Sequence, residues 1–233
     1  MPNETMRVHR RPLTQKDIDR ENEKENRSYL NFVHRALLVS LHENMGFGGE
    51  RMRTMTYNSY DVGEAALAEN TYKPLLTSVE DLLAGAEPEY GEADFFETVD
   101  GTYWALSREL LALGWNPEES LWPWKEPFTD ADFPETWRKV TKSQREKRAA
   151  YLHYANKMSQ ICLTLLCMCA KELNQTNGFG ALRLDRAMRP VGKRWLELMR
   201  VYLTMDAKAV WEMRKALRDE YNGMGVFVKE YAV

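Results

Sequence analysis

The chain has 233 residues, 44% of them hydrophobic, and a net charge of −3. That composition supplies an ordinary buried core and excludes a wholly disordered chain. The longest apolar run, ICLTLLCMCA at 161–170, is far short of the roughly twenty residues a membrane span needs, so no membrane partner is expected.

Charge is placed unevenly. Residues 1–73 carry 11 acidic and 11 basic side chains, residues 74–135 carry 15 and 2, and residues 136–233 carry 9 and 19. The middle segment therefore stands at −13 and the last at +10, an asymmetry that points to charge-complementary contact. Cys162, Cys167 and Cys169 crowd one helical stretch, where they cannot pair into a disulfide framework. With no apolar leader after the opening MPNETMRVHRRPL, the expectation is a reduced protein of the cytoplasm, in a host cell if the chain is mobile-element encoded.

In chain order, Thr14 with Asp17 three residues on has the form of a capping box and predicts a helix over 15–45. Its first half, KDIDRENEKENR, is almost wholly charged, and its second half carries Leu30, Val33, Leu37 and Leu41 on one face. Gly46-Phe47-Gly48 ends it, and Arg51 follows. A short helix is predicted after Thr77 or Ser78, then a loop over 87–94 (EPEYGEAD), then a helix over 102–113 closed by Gly114 and Trp115. Residues 116–137 are broken by prolines and rich in tryptophan. Ser143 with Glu146 repeats the capping signal and predicts a helix over 144–177, with Ala155, Met158, Cys162, Leu165 and Cys169 on its seam. Gly178-Phe179-Gly180 closes that helix. Leu184, Met188, Val191, Trp195, Leu198 and Tyr202 then alternate steps of four and three, an amphipathic pattern in which Pro190 predicts a kink or interruption. A last helix runs from about Asp206 to Asn222 and Gly223.

The two Gly-Phe-Gly stretches share a register 132 positions apart. Leu41, Gly46, Phe47, Gly48 and Arg51 match Leu173, Gly178, Phe179, Gly180 and Arg183, and Leu30, Val33 and Leu37 fall opposite Cys162, Leu165 and Cys169. This reads as an internal repeat of helical hairpins. The glycine takes the left-handed conformation at the helix end, the phenylalanine folds back on the last turn, and the arginine stands within reach of the helix's open carbonyls. A phosphate-cradling loop would follow a strand and carry more glycines. The fold expected is all-α: a first helical repeat over 1–73, an acidic, tryptophan-containing insert over 74–140 and a second repeat over 141–233, forming one compact unit.

Chemistry-bearing groups are sparse. The cysteine spacings of five and two diverge on a helix, and His9, His34, His42 and His153 have no partner at ligand spacing, so neither metal nor cofactor is expected. Carboxylate pairs such as Glu118 with Glu119 and Asp130 with Asp132 sit where helix capping explains them. No nucleophile elbow, Walker, zinc-protease or kinase pattern occurs, which favours a non-enzymatic protein.

Two surfaces could bind by charge. Arg145 and Arg148 lie in the basic run from Arg138, and Arg186, Arg189, Lys193 and Arg200 line the polar side of the Trp195 helix. Such clusters can neutralise phosphates. Conversely, the insert offers Glu87, Glu89, Glu92 and Asp94, with Trp115, Trp122 and Trp124 as aromatic anchors, a surface able to mimic a phosphate backbone. Mutual docking of the two surfaces is the bland alternative.

The pattern NGFGALRLDRAM, with LRDEYNGMGVFV after it, resembles short helical proteins of unknown function from bacteriophages and prophages. The resemblance covers about 160–230 and, faintly, 30–70, and brings no catalytic residues. It implies a mobile-element accessory protein, a class that includes inhibitors of host defence such as anti-CRISPR proteins. The leading expectation is a non-enzymatic inhibitor of a basic, nucleic-acid-handling host protein or its complex. The alternative is a nucleic-acid-binding accessory or regulatory protein using the basic C-terminal half.

Overall fold

The computed structural model describes residues 15–54, 92–121, 128–134 and 141–225, with side chains at most of these positions. Every regular element among them is a helix, so the all-α expectation holds. The elements are α1 (Gln15–Met45), a helical stretch over 49–54, α2 (Glu92–Ala112), α3 (Pro117–Ser120), a 3-10 turn (Asp130–Asp132), α4 (Lys142–Asn177), α5 (Ala181–Leu203) and α6 (Ala207–Gly223).

Aromatic contacts fix how the long helices run. Tyr29 of α1 meets Tyr154 of α4 with ring centroids 6.0 Å apart, and at the other end Phe47 and Phe179 meet edge to face at 5.6 Å. The two helices therefore lie parallel. Tyr202 at the end of α5 also meets Tyr29, at 5.9 Å, so α5 returns antiparallel between them. Its core face, Leu184, Met188, Val191, Trp195 and Leu198, is fully buried, and the Trp195 indole donates to Ser159 Oγ of α4 at 2.9 Å. α6 closes over α1 and α5, with the Arg214 guanidinium 5.2 Å from the Tyr29 ring and Asp206 capping its first turn through Lys208 N and Ala209 N.

The two corners are built alike, bond for bond. Gly46 and Gly178 have φ of +65° and +63°. Gly46 N donates to His42 O and Phe47 N to Leu41 O, and Gly178 N donates to Asn174 O and Phe179 N to Leu173 O, all at 3.0–3.2 Å. A side chain from equivalent positions, His42 or Asn174, bonds the phenylalanine carbonyl at 2.9 Å in each. The third glycine corner differs: Gly114 N reaches Leu111 O and Trp115 N reaches Leu110 O, the Schellman pattern. Arg51 and Arg183 depart from the sequence expectation, because each stands over its corner's phenylalanine ring, 5.7 and 5.9 Å from the centroid, where cation–π attraction holds it. The likeness concerns the corners; whether the hairpins beyond them repeat lies mostly outside the described residues.

Two glycine replacements should move stability in opposite directions. An added Cβ at Gly178 meets nothing within 4 Å, so valine there is penalised by its positive φ alone, about 1–2 kcal/mol. Gly101 lies inside α2 in open space at ordinary φ, so alanine should stabilise by about 0.5–1 kcal/mol. Urea unfolding of the two variants checks both signs, and a Gly178→Val protein as stable as the parent would refute the corner geometry.

Three features differ from the sequence expectation. α2 opens at Glu92, inside the segment read as loop, and continues through Gly101. α5 runs unbroken through Pro190. The carbonyl that proline deprives belongs to Arg186, on the solvent side, and Ser40 Oγ of α1 donates to the neighbouring Ala187 carbonyl at 2.7 Å. On α4 the seam is wider than expected: Cys162 is buried as anticipated, but Cys167 and Ala170 are also fully buried while Leu165 and Cys169 are only half-buried. The reason is that α4 packs against α2 as well as α5.

Candidate functional site

With one face of α5 buried, its opposite face is fixed by geometry. Leu182, Arg186, Arg189, Lys193, Glu197 and Arg200 are all exposed there. Arg186, Lys193 and Arg200 recur every seven residues, so they stand one above another over about 21 Å at 1.5 Å per residue. None of these three takes a hydrogen bond or ion pair among the described residues.

The neighbouring cations are already engaged. Arg189 donates to Asp185 at 3.1 and 2.8 Å, and Ser120 of α3 donates to the same carboxylate at 2.6 Å. Burial opposes ionisation of Asp185, but the hydrogen bonds from Arg189 and Ser120 outweigh it and hold its carboxyl below the usual range. Arg194 grips Glu220 of α6 with both terminal nitrogens, at 2.6 and 2.7 Å. Those bonds, ahead of the burial that opposes them, hold the Glu220 carboxyl down. Arg145 is exposed near the start of α4. Arg148 is 8% exposed, paired with Asp130 and stacked 4.8 Å from the Phe133 centroid. It belongs to the fold's interior and is not offered to a ligand.

The described part of the acidic insert lies against the second half of the chain. Besides Asp130 on Arg148, Glu109 of α2 pairs with Lys171 of α4 at 2.6 Å. The strap over 128–134 is clamped by Asn156, whose side chain accepts from Phe128 N at 2.6 Å and donates to Phe128 O at 3.0 Å. Intramolecular docking thus accounts for part of the charge complementarity. Glu87, Glu89, Trp122 and Trp124 lie outside the described residues, as do the side chains of Glu92 and Asp94. Trp115 is 2% exposed and fills the α2 corner, so it is a core residue and not a partner anchor.

The exposed aromatics are elsewhere. Trp104 and Leu111, 53% and 48% exposed, share the outer face of α2, and Trp211 of α6 is 53% exposed. Sequence spacing carries a signal for the two on α2, whose core phase of Tyr103, Leu106 and Leu110 leaves Trp104 and Leu111 off the seam.

The remaining reactive groups have structural employment. Burial pushes the Cys162 and Cys167 thiols far up, and burial, with Glu172 nearby, pushes Cys169 to about 12, so none is a ready thiolate. Asn116 caps α3 and holds Glu119 at 3.0 Å, and Asp132 completes a capping box with Thr129. Among the described residues no three His, Cys, Asp or Glu side chains converge as a metal site would need, and no helix is long and apolar enough to cross a membrane. The chain matches no protein-family model, no curated protein and no solved structure.

Proposed function

We propose that the protein is a non-enzymatic nucleic-acid-binding accessory or regulatory protein, of phage or other mobile-element origin, that holds phosphates on the outer face of α5. The observation that carries this reading is the stripe of Arg186, Lys193 and Arg200, exposed and without partners among the described residues, while the cations beside it are neutralised by Asp185 and Glu220. Unpaired cations aligned on a rigid helix neutralise a phosphate backbone without reading its sequence and release its condensed counterions. Fluorescence anisotropy with duplex and single-stranded oligonucleotides at low salt tests it. Binding that weakens steeply as salt is raised supports the reading, and absence of binding to either form at low salt refutes it.

A second reading, inhibition of a basic nucleic-acid-handling host protein by the acidic insert, draws support from Trp104 and Leu111 exposed together on α2. Interfaces favour such aromatic anchors within a charged surround. Here Glu87, Glu89, Glu92 and Asp94 changed to lysine should abolish capture of the partner, and capture that survives this change would eliminate the reading.

A further inference from the structure

We propose that the outer face of α6 is a base-stacking platform centred on Trp211, so that the nucleic acid held by α5 is single-stranded. This rests on the phosphate-binding reading of α5 and extends it from charge to ligand class. Trp211 is 53% exposed on a helix whose core face buries Val210, Leu217 and Tyr221. Lys208, Lys215 and Arg218 stand three residues before, four after and seven after it, on the same face.

The Lys215 ammonium lies 6.0 Å from the indole centroid. Lys208 and Lys215 make i,i+4 pairs with Glu212 and Asp219 at 3.7 and 3.2 Å. Exposed pairs of that kind are worth little and exchange readily for a phosphate. The other exposed α6 residues, Ala207, Ala216, Glu220, Asn222, Gly223 and these charged groups, add no large apolar side chain around Trp211. The face therefore lacks the apolar surround of a protein-docking patch and has what an unstacked base needs: an accessible ring with cations one and two turns along the helix. A duplex keeps its base faces inside the stack, whereas a single strand presents them. α6 is tied to α5 by the Arg194–Glu220 pair at 2.6 Å, which joins the platform to the helix carrying the phosphate stripe.

The test compares a fluorescein-labelled oligo-dT strand with a duplex of equal length by anisotropy. Trp211→Ala should weaken the single strand by about tenfold or more, leave the duplex nearly unchanged, and be largely rescued by Trp211→Phe. Unchanged single-strand affinity in Trp211→Ala, or an equal loss on the duplex, overturns the platform. The two proposals fail separately. If reversing Arg186, Lys193 and Arg200 removes binding but Trp211→Ala does not, only the platform falls. If reversal is silent while Trp211→Ala weakens the single strand, the α5 reading falls and the platform stands. If the parent protein binds neither form, both fall.

Discussion

Replacing Trp195 by alanine is expected to destabilise the protein by about 3–5 kcal/mol, the usual cost of truncating a buried aromatic side chain. For a chain of this size that corresponds to a fall in Tm on the order of 10 °C. Trp195 is fully buried where α1, α4 and α5 converge: its ring meets Tyr29 of α1 edge to face at 6.0 Å and its Nε1 donates to Ser159 of α4. Alanine leaves a cavity among three helices and strands the Ser159 hydroxyl, 7% exposed, without its donor. Trp195→Phe should cost less, since most of the apolar volume stays. Thermal unfolding followed by circular dichroism measures both, and a loss below about 1 kcal/mol for alanine would show that the three helices are not joined there.

How far the sequence disclosed this arrangement depends on the kind of signal. Helix ends with dedicated residues were legible: Gly46 and Gly178 stop α1 and α4 at positive φ, and Asp206 opens α6 as an N-cap. Core phase was legible where one face is buried, as on α5. It fails where burial comes from two sides: Cys167 of α4 is fully buried and close enough to Tyr103 of α2 to act on its hydroxyl, off the seam that the spacing predicts. Gly101 and Pro190 do not end α2 and α5, because packing outweighs a local penalty of about 1 to 3 kcal/mol.

The candidate site divides in the same way. Exposure of Arg186, Lys193 and Arg200 follows from the α5 phase and could be read from spacing alone. That Arg148 is buried under Phe133 and Asp130, or that Trp115 is core, depends on contacts far apart in sequence that no local pattern encodes. Tryptophan count drew attention to the 116–137 segment, while the exposed indoles belong to Trp104 and Trp211 on regular helices.

The central claim, that the α5 stripe contacts phosphates, is tested most directly by the salt dependence of nucleic-acid affinity in the variant carrying Arg186→Glu, Lys193→Glu and Arg200→Glu. All three side chains are exposed and make no ion pair among the described residues, so the variant should remain folded, which circular dichroism checks. Each phosphate contact contributes about 0.9 to the slope of log affinity against log salt on duplex and about 0.7 on a single strand. Three lost contacts should make the slope shallower by about 2 to 3 and reduce low-salt binding by at least two orders of magnitude. A folded variant whose slope and low-salt affinity equal those of the parent protein would contradict the account.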